Sequence, residues 1–170
     1  MGQQAFPDVR WGSESSFLNK PAIAFASTRV GSWVIKTATP LDRKLLMKSS
    51  GRFTILGPIG APVILLTTKG RKSGQPRTTP VLCVHEGDLI YVVGSNFGQQ
   101  HHPAWTANLR ADPNASVTIG GKSIPVVATP VIGIEQQRVY RAFIDMAGAY
   151  EAYEGRTDRD LRVFALSRRA

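Results

Sequence analysis

Cysteine is nearly absent: Cys83 is the only one in 170 residues. That excludes an intrachain disulfide and a cysteine-rich zinc site, and it suits a reducing compartment. No run reaches the roughly 18 consecutive apolar residues that a spanning helix requires. The opening Met1-Gly2-Gln3-Gln4-Ala5-Phe6 has neither the basic nor the apolar region of a secretory leader. A soluble, cytoplasmic protein is expected. Internal repeats are missing, and so is the βαβ alternation that a Rossmann fold would show. Acid is also scarce, with 12 Asp+Glu against 21 Lys+Arg and a formal charge of +9. Such an excess attracts anions, whether nucleic acid, anionic lipid or a phosphorylated small molecule. What is present is a 42% hydrophobic fraction, enough for the core of one domain.

Residues 1–20 mix Gly, Ser, Gln and Pro without periodicity and read as a flexible arm. Residues 21–62 read as N-terminal helices and a connector. Ile23, Phe25, Val30, Trp33 and Val34 suggest a first amphipathic helix, and Thr39-Pro40-Leu41-Asp42 gives the cap, proline and acid that start a second. Leu41, Leu45 and Leu46 form its apolar face, and residues 51–62 are too rich in Gly and Pro to continue it. Residues 63–170 change character. Val63–Thr68, Thr79–His85, Leu89–Gly94, Ala115–Ile119, Ser123–Pro130 and Leu161–Leu166 are short strand-like runs, with Glu86-Gly87-Asp88 and Gly120-Gly121 as hairpin turns. Helices are expected over Pro103–Leu109 and Glu135–Ala147, the latter with Val139, Phe143 and Ala147 on one face. The fold class is α+β, a closed or partly closed small barrel of antiparallel strands with flanking helices.

Four cations, Lys69, Arg71, Lys72 and Arg77, fall within nine residues, and no acid follows until Glu86. Gly70, Ser73, Gly74 and Pro76 lie among them, so the segment is a loop between two strands. Glycines let backbone N–H groups approach an anion, and arginines add two-pronged contacts to phosphate or carboxylate. An anion site and a solvated basic tip both fit this spacing. Nucleic acid is disfavoured, because interleaved aromatics and the familiar recognition motifs are absent. Gly121-Lys122-Ser123 mimics the end of a phosphate-binding P-loop, but Ser116 stands where its first glycine belongs. Ser95-Asn96-Phe97-Gly98 and the following Pro103–Leu109 offer a polar rim beside Trp105 for a flat ring. Trp105 as a core residue and Asn108 as a helix cap are the competing readings. His101 and His102 are adjacent and therefore poor co-ligands, so no metal is expected. Cys83 sits in a β-branched run and reads as a small buried hydrophobe.

In this order the segments resemble the deazaflavin-dependent nitroreductase family, the F420H2-dependent oxidoreductases of actinobacteria with a split β-barrel. The resemblance rests on Leu66–Pro80 (LTTKGRKSGQPRTTP), on Gly94-Ser95-Asn96, on His102–Pro113 (HPAWTANLRADP) and on Thr157-Asp158-Arg159 within Tyr150–Arg159. It implies coenzyme F420, an 8-hydroxy-5-deazaflavin with a phosphate and a polyglutamate tail, rather than FMN. By that analogy Lys69, Gly70, Arg71, Lys72 and Arg77 hold the phosphate and tail, and Ser73 and Gly74 offer backbone donors. Pro80, Gly94, Ser95, Asn96, Trp105 and Asn108 frame the ring. Two departures stand out. Asn96 replaces a lysine of some members, and Leu82 and Ala147 replace tyrosines of some nitroreductases.

The implied reaction is hydride transfer from the reduced deazaflavin to a small quinone, enone or nitro-aromatic acceptor. Ser95, Tyr150 and Tyr153 are the implied catalytic residues, Ser95 at the acceptor oxygen and the tyrosines lining the acceptor site as proton donors. Two alternatives stay open at this point. One is an FMN-dependent split barrel. The other is a non-enzymatic barrel for acidic lipid or fatty acid, with the N-terminal helices resting on a membrane.

Overall fold

A computed structural model of the chain describes residues 6–7, 45, 47–49, 62–95, 101–146 and 161–169. Each β-branched run forms a strand: β1 (Val63–Lys69), β2 (Pro76–Glu86), β3 (Leu89–Val93), β4 (Asn114–Ile119), β5 (Lys122–Val131) and β6 (Val163–Arg168). Among the described residues two helices punctuate them, α1 (Ala104–Ala111) between β3 and β4 and α2 (Gly133–Met146) between β5 and β6. The six strands close into one barrel in the order β1-β2-β3-β6-β5-β4, every pairing antiparallel. Closure leaves no sheet edge unpaired.

Side chains alternate across each strand. Ile64, Leu66, Val81, Cys83, Ile90, Val92, Val117, Ile119, Ile124, Val126, Ala128, Phe164 and Leu166 fill the interior. The outer faces of β2, β3 and β6 carry a second apolar layer, in which Tyr91, Val93 and Val163 meet Val139, Tyr140 and Phe143 of α2. β3 is therefore apolar throughout because it is covered on both faces. Val139 and Phe143, four residues apart, share one face of α2, and each contributes about 2 kcal/mol by burial. Ala147, expected on the same face, lies outside the described residues.

An ionic clasp fixes α2 across the β2–β3 hairpin. Arg138 donates to both carboxylate oxygens of Glu86 (3.0 and 2.7 Å) and to Glu135 (2.9 and 2.7 Å). Its guanidinium lies 5.7 Å from the Tyr91 ring centre, and the Tyr91 hydroxyl donates to Glu135 at 3.2 Å. The Arg138 hydrogen bond, followed by that from Tyr91, holds the Glu135 carboxyl below the ordinary glutamate range.

The antiparallel register defines two barrel ends. The β1–β2 turn, the end of β3, both ends of α1 and the start of β6 lie at one. The β2–β3 and β4–β5 turns, Pro62 and the end of β6 lie at the other. Phe6 closes the second end. It belongs to the interior cluster, edge-on to His85 at 6.0 Å and beneath the Arg168 guanidinium at 5.2 Å. Of residues 1–20 the structure describes Phe6 and Pro7, and a single buried aromatic is invisible in a window of polar composition. Of the N-terminal helices, residues 45, 47 and 48 are described and helical, with the Ser49 N–H donating to the Leu45 carbonyl at 2.8 Å. Leu45 and Met47 are exposed. The rest of 21–61 lies outside the described residues.

Candidate active site

The cationic segment forms the turn between β1 and β2, residues Gly70 to Gln75. The Gly70 N–H donates to the Gln75 carbonyl (2.8 Å) and the Gly74 N–H to the Gly70 carbonyl (2.7 Å). Gly74 has φ of 69°, a left-handed conformation that only glycine takes at no steric cost. Gln75 N–H donates to Ser73 Oγ at 3.3 Å, and Arg71 N–H to Asn108 Oδ1 at 3.1 Å. Two consecutive amides, Lys72 and Ser73, have no acceptor among the described residues. Paired open amides between cations are an anion-binding arrangement. The expected donor role therefore stands open for Ser73, whereas the Gly74 N–H closes the turn instead.

Arg71, Lys72 and Arg77 are exposed, and among the described residues no carboxylate pairs with them. Lys69 reaches Asp112 only at 3.9 Å. The Asp112 carboxyl sits below its ordinary range chiefly because the Asn114 side chain and backbone donate to it, Lys69 being the smallest cause. Among the described residues, Arg71, Lys72 and Arg77 thus remain available to a ligand, and Lys69 is held only by a long contact. This donor set fits a phosphate and a run of carboxylates.

Helix α1 lies against this end of the barrel, with Trp105 and Leu109 turned into the interior. Trp105 packs against Phe164, ring centres 6.0 Å apart, and fills the core. Between these two residues the helix buries two polar side chains, Thr106 (0% exposed) and Asn108 (6%). The Asn108 amide donates to Thr68 Oγ1 at 3.0 Å while its oxygen takes the Arg71 N–H. Thr106 donates to the Pro103 carbonyl (2.8 Å) and accepts from the Arg162 guanidinium (3.2 Å). Arg162 in turn accepts the Gly94 N–H at its carbonyl, 2.9 Å. A Cβ on Gly94 would meet Thr106 Cγ2 at 2.6 Å, so contact with α1 alone requires glycine there.

Of the residues singled out in the sequence, Lys69 to Gly74, Arg77, Gly94, Ser95, Trp105 and Asn108 come to this one end. Ser95 is buried just past β3. Pro80 lies on β2 opposite Leu65, half-buried on the outward face. Asn96, Tyr150 and Tyr153 lie outside the described residues. Thr68, Thr106 and Arg162 escaped the sequence reading. Thr68 alone carried a signal: it continues the inward positions Ile64 and Leu66, and a hydroxyl buried there requires a partner. Cys83 is buried, its Sγ 3.5 Å from the Pro62 carbonyl, and burial pushes the thiol up to about 12. Among the described residues no group of His, Cys, Asp or Glu is arranged to hold a metal ion, and no helix is long and apolar enough to cross a membrane.

Comparison with known proteins agrees with this geometry. The model of the F420H(2)-dependent quinone reductase family matches residues 41–168. An F420H(2)-dependent quinone reductase of Mycobacterium tuberculosis is 34% identical over 124 residues, 71% of this chain and 83% of that protein. The solved structure of an F420-H2 dependent reductase, FDR-A, superposes with a TM-score of 0.58 at 34% identity, covering 62% of this chain and 94% of that one. A second structure, described as a domain-swapped dimer, gives a TM-score of 0.60 at 29% identity over 80% of this chain and 98% of its own. Family membership decides between the cofactors left open by the residues, in favour of F420 over FMN, and between an enzyme and a lipid-binding barrel. With a basic turn suited to a polyanionic tail and a match over most of its length, the chain belongs to the F420H2-dependent quinone reductase family.

Proposed function

We propose that this chain reduces a small quinone with F420H2, using the α1 end of the barrel as the cofactor seat. The cations of the β1–β2 turn carry the reading: Arg71, Lys72 and Arg77 lack a carboxylate partner among the described residues and flank two open amides. In this reading Lys69, Arg71, Lys72 and Arg77 hold the phosphate and the glutamate carboxylates, and the Lys72 and Ser73 N–H groups donate to phosphate oxygens. Pro80, Gly94, Ser95, Asn96 and Trp105 border the ring, Trp105 from behind, while Asn108, whose amide is taken by Thr68 and Arg71, supports the turn beside it. When bound, the reduced deazaflavin supplies the hydride from C5. Ser95 donates a hydrogen bond where charge develops on the acceptor oxygen, and Tyr150 or Tyr153 delivers the proton.

Fluorescence titration tests the seat: F420 binds and FMN at equal concentration does not, and the loaded protein oxidises F420H2 only when a quinone is added. Absence of F420 binding would end this reading. We further place loose membrane attachment in the N-terminal segment, whose described residues Leu45 and Met47 are exposed. Loss of vesicle co-sedimentation on Leu45→Ser, Met47→Ser is the expected outcome.

A further inference from the structure

We infer that α1 is the spacer that sets the phosphate turn and the ring strand at a fixed separation, with Asn108 and Thr106 as its two positioning residues. The inference rests on the cofactor seat proposed above and assigns these two side chains different jobs within it.

Asn108 faces the turn. Its carboxamide oxygen holds the Arg71 N–H and its nitrogen holds Thr68 Oγ1, which itself lies 3.5 Å from the Arg77 carbonyl. One buried side chain thereby ties down both flanks of the turn, Arg71 at its start and Arg77 beyond its end. It also occupies one of three successive amides, leaving Lys72 and Ser73 as the open pair. With both ends of the amide engaged by protein, Asn108 acts on a ligand through the turn. Thr106 faces the other way. It accepts from Arg162, whose carbonyl holds the Gly94 N–H, and its methyl group fills the space that a side chain at 94 would need. Thr106 thus fixes the strand end that carries Ser95. Both side chains are buried on a helix anchored in the core by Trp105 and Leu109, so the turn and the end of β3 are both tied to α1.

Two ligands separate these roles: complete F420, and the deazaflavin ring with its ribityl chain but without phosphate or glutamates. Asn108→Ala should weaken complete F420 about tenfold while leaving the truncated ligand within about twofold. Thr106→Val should weaken both ligands by a common factor, since the ring is their shared part. Thr68→Val keeps the shape of the buried site and removes the acceptor of the Asn108 amide. It should shift F420 affinity in the same direction, and the double variant should lose no more than Asn108→Ala alone. It carries the test should Asn108→Ala not fold. Equal loss of both ligands in Asn108→Ala would mean contact with the ring and would overturn the inference, as would additive losses in the double variant. Hydrogen exchange on the ligand-free protein keeps this separate from the identity of the cofactor. Asn108→Ala should speed exchange of the Arg71 amide and Thr106→Val that of Gly94, and unchanged rates would overturn the spacer role even where F420 binds.

Discussion

The two ends of the barrel are closed by different chemistry. At the α1 end polar groups are buried in bonded pairs, Asn108 to Thr68 and Arg71, and Thr106 to Arg162, while the exposed cations beside them have no carboxylate of comparable closeness among the described residues. At the other end the hairpins turn tightly at Gly87-Asp88 and Gly120-Gly121, and an aromatic plug, Phe6, meets His85 and Arg168. Among the described residues, the first end is organised by hydrogen bonds around cations of which only Lys69 meets a carboxylate, at 3.9 Å, and the second by apolar filling. On the proposed seat, binding and stability draw on opposite ends of one core, and substitutions should separate them.

The largest effect belongs to the turn. Lys72→Ala combined with Arg77→Ala removes two exposed cations, and F420 affinity should fall about a hundredfold at low salt, with a shallower salt dependence than the parent. Because both side chains are exposed, the unfolding midpoint should barely move. Unchanged affinity in a titration would remove the turn from the seat. Phe6→Ala is the converse. Losing a buried ring at the rim of the core should cost about 2 kcal/mol, below the usual loss for a central phenylalanine, and lower the melting temperature by roughly 6 °C. F420 affinity should stay as it was, and a comparable loss of affinity would show that the ends are coupled.

A smaller effect follows from the clasp beside the plugged end. The folded protein holds the Glu135 carboxyl below its ordinary range through Arg138 and Tyr91. Its contribution is therefore complete above the ordinary glutamate range and disappears as pH falls through the lowered folded value. Thermal melts taken across the acid range below about pH 5 should show this loss, and Glu135→Gln should flatten it. An equally steep acid limb in the variant would place the acid sensitivity elsewhere, with Asp112 the next group to test, since its carboxyl is lowered too.

The sequence announced the two ends unequally. Short strand-like runs between turn residues located all six strands to within a few residues, because strand preference and turn chemistry are local. The basic turn was equally plain, since four cations and two glycines are contiguous. Its competence for an anion was not, because that depends on which amides are taken. The Gly74 N–H closes the turn and Asn108, 37 residues after Arg71, takes another. Thr106 and Arg162 are 56 residues apart and carry no shared pattern in the chain. Trp105 was legible as an aromatic beside a strand end, but its direction into the core follows from its pairing with Leu109 on one helix face. The Phe6 plug was hidden for a simpler reason: a single aromatic in a polar stretch has no periodicity.

Cys83 provides the finest test of how well the plugged end is sealed. It lies inside the barrel on β2, its backbone N–H and thiol both directed to the Pro62 carbonyl at that end. Burial raises the thiol to about 12, so the thiolate that reacts with alkylating reagents is scarce near neutral pH, and access is blocked as well. In the parent protein, labelling should be negligible in buffer and complete in denaturant. Phe6→Ala opens the rim on the side of Cys83 and should raise the native labelling rate about thirtyfold, in step with a loss of about 2 kcal/mol, if reaction proceeds through opening. The Lys72→Ala, Arg77→Ala variant alters only the far end and should label as slowly as the parent. Equal acceleration in both variants would mean that the β1–β2 turn also controls access to Cys83, and that the two ends fail together.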